Sequence, residues 1–110
     1  MDIKDLVADA YQTELDKGWQ QPGETRPVPE LICLMHSELS EALEEYRNGK
    51  HPDVIYYHEG KPEGIPIEFA DVIIRIAGFC GQYGIDLEAA LKIKLEYNKT
   101  RPVRHGGKII

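Results

Sequence analysis

A chain of 110 residues with 42% hydrophobic and 29% charged side chains has room for one domain, 1–110, with a core of its own. Its formal net charge of −6 argues against non-specific nucleic-acid binding over the whole surface and suits a site that collects divalent cations. Met1-Asp-Ile-Lys-Asp5 is charged and every apolar stretch is broken by charge, so neither a signal peptide nor a membrane span is predicted and a cytoplasmic location is expected.

Ile3, Leu6, Val7, Ala10, Tyr11 and Leu15 fall at helical spacing, predicting a first helix over residues 3–17, capped by Asp2 and stopped at Gly18. Trp19 to Pro27 is a loop by its prolines and glycine, with Trp19 read as an anchor to the core in preference to a stacking platform. A second helix is expected from Val28-Pro29, where proline is tolerated in the first turn, to about Asn48. Its apolar face is Leu31, Met35, Leu39, Ala42, Leu43 and Tyr46. Glu38, Glu41 and Glu45 cluster along one edge of that face, and Glu44 points away. Residues 49–65 form a long loop or a short hairpin, with strand composition at Val54 to Tyr57 and a turn at Glu59-Gly60-Lys61-Pro62.

The third helix contains Glu68 to Gln82 and is apolar round most of its circumference. One polar stripe of Glu68, Asp71, Arg75 and Gln82 runs along it, and a helix of this kind is expected to be buried. Cys33 and Cys80 have no metal-ligand spacing and read as reduced core residues. A fourth helix starts at an Asp86 cap, with Leu87, Ala90 and Leu91 as its apolar face, and ends near Asn98 or Arg101. Lys94, Asn98 and Arg101 continue that face, which reads as a set of donors aimed at something anionic. Residues 99–110 are a basic tail in which Pro102 ends or kinks the helix. The fold class is therefore all-α, a bundle of four helices.

Two helices each carry carboxylates at i, i+3: Glu38/Glu41 and Glu68/Asp71. If these helices pack together, four acids meet, and like charges about 5 Å apart repel by roughly 3 kcal/mol per pair at an effective dielectric near 20. Protons, cationic side chains or metal ions must offset them. Surface acids satisfied by the helix dipole and by Arg75 would suit Glu68 but not Glu41 in mid-helix. A ferritin-like di-iron site needs Glu-x-x-His, and no Glu in this chain has His three residues later. An all-oxygen site for Mg²⁺, completed by water and substrate phosphate, uses both the acids and the donors Lys94, Asn98 and Arg101.

The run His36-Ser-Glu-Leu-Ser-Glu-Ala-Leu-Glu-Glu-Tyr46, the run Gly60-Lys-Pro-Glu-Gly-Ile-Pro-Ile-Glu-Phe-Ala-Asp-Val72, and the stretch from Lys94 to Lys108 together resemble a known family. This is the MazG-like all-α nucleoside triphosphate pyrophosphohydrolases, in their compact single-domain branch. The family pattern is ExxE, a variable gap, then ExxD. The resemblance implies a MazG-like four-helix bundle in which Glu38, Glu41, Glu68 and Asp71 hold Mg²⁺, with Mn²⁺ able to replace it. It further implies that Lys94, Asn98 and Arg101 approach the phosphates of a nucleoside triphosphate. Water activated by the metal would attack the α-phosphorus, releasing pyrophosphate and a nucleoside monophosphate. A specialised nucleotide substrate (dCTP, dUTP or phosphoribosyl-ATP) is the sister reading. A non-catalytic, metal-stabilised helical interaction protein is the reading from another class.

Around this core set, Glu45 is a candidate to orient or deprotonate the water, to act as a further ligand, or to remain a solvated glutamate. Glu41 is assigned to catalysis as well as to the metal. Lys61, His105 and Lys108 are candidate substrate contacts from the loop and the tail, and Arg75 is read as a structural ion pair sharing the stripe of Asp71. A helix as broadly apolar as the third leaves greasy surface on a monomer. A homodimer or dimer of dimers is expected, with no nucleic-acid or membrane partner.

Overall fold

The computed structural model describes residues 1–21 and 23–101 and contains, among them, four helices and one small hairpin. The helices are α1 (Ile3–Asp16), α2 (Val28–Arg47), α3 (Ile65–Tyr83) and α4 (Leu87–Thr100), with strands β1 (Tyr56–His58) and β2 (Lys61–Glu63) between α2 and α3. Each start has a local cause. The Asp2 carboxylate accepts the Asp5 N–H at 2.8 Å, the Asp86 carboxylate accepts the Ala89 N–H at 3.0 Å, and prolines occupy the first turns of α2 and α3.

The expected hairpin forms. Tyr56 pairs with Glu63 and His58 with Lys61, and Glu59-Gly60 make the connecting turn with φ of 52° and 80°. Two successive positive φ values are the geometry of a type I′ turn, which matches the twist of the strands it joins. Lys61 accordingly stands in the second strand, not in the turn. Gly64 then leads into α3 at φ 123°, against the Val54 carbonyl, where a Cβ would overlap the oxygen.

The helix α3 is the centre of the molecule, packed by α1 and α2 and touched by β2 at its start. Its contact with α1 is close because Ala77, Gly78 and Gly81 present almost no side chain; Tyr11 lies over Gly81 and Glu14 over Gly78. The fully buried apolar residues are few and mostly small: Ala10, Ala42, Ile65, Ala77 and Cys80. Gln20 is also buried and donates from its side-chain amide to the Glu24 carbonyl, tying down the α1–α2 loop.

Three expectations are corrected. The packed stripe of α2 runs through Leu31, Leu34, Met35, Glu38 and Ala42, while Leu39, Leu43 and Tyr46 face outward and Cys33 is exposed. Glu38 lies on this stripe with Leu34 and Ala42, and its bond to Arg75 turns that side of α2 toward α3. Second, α3 is not enclosed, since Phe69, Ile73 and Ile74 stay exposed; two neighbouring helices cover only part of a circumference. Third, α4 packs chiefly on α1 and buries none of its described residues, and Trp19 is exposed instead of anchored in the core.

Candidate metal and phosphate site

Packing of α2 on α3 brings Glu38, Glu41 and Glu68 together, each with one carboxylate oxygen within 4.8 Å of the other two. Glu68 is held in the first turn of α3, where its N–H and that of Ile67 donate to the Gly64 carbonyl at 3.0 Å. Gly64 and the hairpin thus decide where this carboxylate stands. Glu38 is the most enclosed of the set, its side chain 10% exposed. Glu41 lies at the solvent side. Asp71, expected as the fourth ligand, stands beside the trio, not within it: its carboxyl is raised chiefly by burial and then by the charge of Glu38, and lowered by Arg75.

The cluster is under-compensated. Burial pushes the Glu68 carboxyl up to about 8, helped by hydrogen bonds with Glu41 and Glu38 and by the charges of Glu41 and Asp71. Such an acid–acid bond exists only while one partner keeps a proton. Without it, Glu68 Oε2 is buried with no hydrogen-bond partner among the described residues. The helix dipole at the start of α3 is not enough to satisfy this oxygen. All donors are hard carboxylate oxygens, the set preferred by Mg²⁺ or Mn²⁺ over softer ions.

Arg75 donates from Nε to Glu38 Oε1 at 2.9 Å. Its partner is therefore across the α2–α3 interface and not Asp71 on its own helix. Beside this pair opens a groove of about 790 Å³, floored by α3, walled by α1 and α2, and reached by Trp19 and Arg26. Glu38 belongs to both the groove and the cluster, and Asp71 and Arg75 line the groove beside it. Glu14 lines it from α1, its carboxyl raised by burial against the opposing pull of Arg26 and Arg75. Two groove residues escaped notice in the sequence. Glu14 stands four residues after Ala10 on the packed face of α1, a detectable break in its apolar pattern. Arg26, in a proline-flanked loop, carries no periodic signal at all.

Glu45 is outside the trio. Both its oxygens accept from the Tyr56 hydroxyl at 2.9 Å, so it tethers the hairpin to α2, and Lys50 Nζ sits 4.3 Å from the Tyr56 ring centre. Lys61 Nζ is 3.8 Å from Glu63 and close enough to lower the Asp71 carboxyl, which keeps it beside the site. Lys94, Asn98 and Arg101 are not brought to the acids of their own chain. All three are exposed on α4, which packs on α1, whereas Glu38 and Glu41 are on α2. The reversal at Gly84–Asp86 sends α4 to that side of the molecule. His105 and Lys108 lie outside the described residues. No helix is long and apolar enough to cross a membrane among the described residues.

No protein-family model, no curated protein and no solved structure matches this chain.

Proposed function

We propose that this protein is a Mg²⁺-dependent nucleotide pyrophosphohydrolase, cleaving a nucleoside triphosphate to the monophosphate and pyrophosphate. The observation that carries the reading is the meeting of Glu38, Glu41 and Glu68 from two helices, with a buried Glu68 oxygen left without a donor. Acids in that state are costly unless a cation completes them. The adjoining groove supports the same reading: at about 790 Å³ it lies within the range of small-ligand pockets and shares Glu38 with the cluster, with Asp71 beside it.

A bound Mg²⁺ supplies positive charge between the acids and the phosphates, and makes water a better nucleophile. Glu38, Glu41 and Glu68 would hold the ion, with Asp71 beside them to orient water. Glu41, the most solvent-facing of the three, is the residue placed to accept the proton of an attacking water. Arg26 on the groove and Lys61 near Asp71 offer positive charge to the triphosphate. Glu45, engaged by Tyr56, holds the hairpin and with it Gly64 and the start of α3.

Lys94, Asn98 and Arg101 serve the phosphates in this reading only from a second copy. Bare apolar surface supports such a dimer: Leu39, Leu43 and Tyr46 on α2, Phe69 and Ile73 on α3, and Leu91, Ile93 and Leu95 on α4 are all exposed. Pyrophosphate release from a panel of ribo- and deoxyribonucleoside triphosphates, with and without Mg²⁺, tests the function. Turnover of one specialised nucleotide alone favours the sister reading, and no turnover on any member leaves a non-catalytic helical interaction protein.

A further inference from the structure

We infer that Arg75 exchanges partners during ligand binding: it neutralises Glu38 while no cation is bound, and turns to an oxyanion of the ligand in the adjoining groove once a cation takes Glu38. The inference rests on the metal-site reading above and assigns to Arg75 a role that the ion pair alone does not require.

Three observations point this way. The contact is a single one: among the described residues the guanidinium is bonded only through Nε, to Glu38 Oε1 at 2.9 Å. A guanidinium has five N–H donors, so the outer fork is left free. The two partners are also unequally enclosed, with the Glu38 side chain 10% exposed and that of Arg75 38% exposed. The most rigid arginine–carboxylate pairs are bidentate through the outer fork, and this one is not. Finally, Arg75 lines the groove, where it faces Glu14 from α1, Asp71 from its own helix and Arg26 from the loop. It lowers the carboxyls of both Glu14 and Asp71, so its charge is felt on the groove side as well as at the cluster.

The exchange follows from charge. A guanidinium and a divalent cation that share Glu38 repel each other, and an anion reaching the cluster relieves that repulsion by drawing the guanidinium to itself. A triphosphate oxygen reaching the cluster from the groove is such an anion, and it meets the unused fork of Arg75 on the way. Arg26 on the same groove adds a second positive charge. Glu14 discourages an anion from settling deeper, on the α1 side.

The test compares the parent chain with Arg75→Gln and Arg75→Lys in two binding assays. Mn²⁺ alone is titrated by the electron paramagnetic resonance of the free ion, and a non-hydrolysable nucleoside triphosphate analogue is titrated calorimetrically in saturating Mg²⁺. Arg75→Gln is expected to bind Mn²⁺ alone several-fold more tightly, because a competing cation is gone. It is expected to bind the analogue at least tenfold more weakly, and Arg75→Lys, which keeps the charge but not the fork, falls between. Weaker Mn²⁺ binding by Arg75→Gln would make Arg75 a positioning residue for Glu38 and overturn the exchange. Unchanged affinity in both assays would overturn it as well, leaving a surface ion pair. A parent chain that binds no Mn²⁺ sinks the metal-site reading itself, a result distinct from either of these. Should both variants fail to fold, the parent decides: the arginine Nε–Hε resonance assigned to Arg75 must shift when Mg²⁺ and analogue are added together, and a stationary signal rejects the exchange.

Discussion

A carboxyl group that keeps its proton up to about pH 8 makes the metal-free protein more stable in acid than at neutrality. The folded-state value of Glu68 lies above its ordinary 4.5, so between those limits the folded chain binds more protons than the unfolded one. Stability therefore falls as pH rises from about 4.5 to about 8, the full penalty being reached only above the upper value. Asp71 and Glu14, both raised chiefly by burial, add to the same sign. Allowing for solvent screening, the loss should be on the order of 1–3 kcal/mol, a fall of roughly 5–15 °C in Tm. Thermal melts in chelator at pH 5 and pH 8 measure it. Glu68→Gln should flatten the profile, as should saturating Mg²⁺, and a metal-free Tm that climbs toward pH 8 contradicts the account. Glu41→Gln and Asp71→Asn follow the same logic: turnover should drop at least a hundredfold while metal-free stability rises by about 1 kcal/mol, since each removes a repelling charge. Lower metal-free stability in both would mean that these acids serve structural ion pairs.

Between residue and bundle stands the hairpin, held to α2 by Tyr56 and Glu45 and followed by Gly64 at the start of α3. The Tyr56 hydroxyl, shared between the two oxygens of Glu45, is pushed up to about 12 by that carboxylate, because phenolate would face an existing negative charge. An ultraviolet titration should contain a tyrosine that ionises only near pH 12, and Glu45→Gln should bring it back toward 10, its ordinary value. Gly64→Ala should cost about 2–4 kcal/mol, through the positive φ and the overlap with the Val54 carbonyl, and should displace Glu68 with it. Weakened Mn²⁺ binding in Gly64→Ala at a temperature where it is still folded checks the second half of that statement. These elements were unevenly legible in the sequence. Helix ends were clear because Asp2, Asp86 and the prolines act locally, and Glu59-Gly60 announced its turn through short-range chemistry. The facing of α2 was not, because both Leu39/Leu43 and Leu34/Ala42 satisfy helical spacing and only the shape of α3 chooses between them. That choice decided that Glu38 would be enclosed and Glu41 would face solvent.

At the scale of the whole molecule, the acids converge and the donors of α4 do not join them. The convergence could be read from two i, i+3 pairs on adjacent helices. The position of α4 could not, since a Leu-to-Lys stripe looks the same whether it meets its own chain, a second copy or water. Among the described residues no large aliphatic side chain except Ile65 is buried, while Leu43 is 60% and Ile93 73% exposed. A chain that leaves this much apolar surface on three helices is expected to associate, and the proposed function requires a dimer in which the α4 of one copy serves the acids of the other. Sedimentation should find a dimer at micromolar concentration, and Leu43→Glu with Ile93→Glu should yield monomers. Sharing of sites has a sharper test in mixed dimers. Glu41→Gln and Lys94→Ala should each be inactive alone. After unfolding and refolding as an equal mixture, about half the dimers pair one of each, and one of the two sites in such a dimer has both residues intact. About a quarter of the parent activity should return. If Lys94 acts within its own chain, the mixed dimers would hold no intact site and the mixture would stay as inactive as its components.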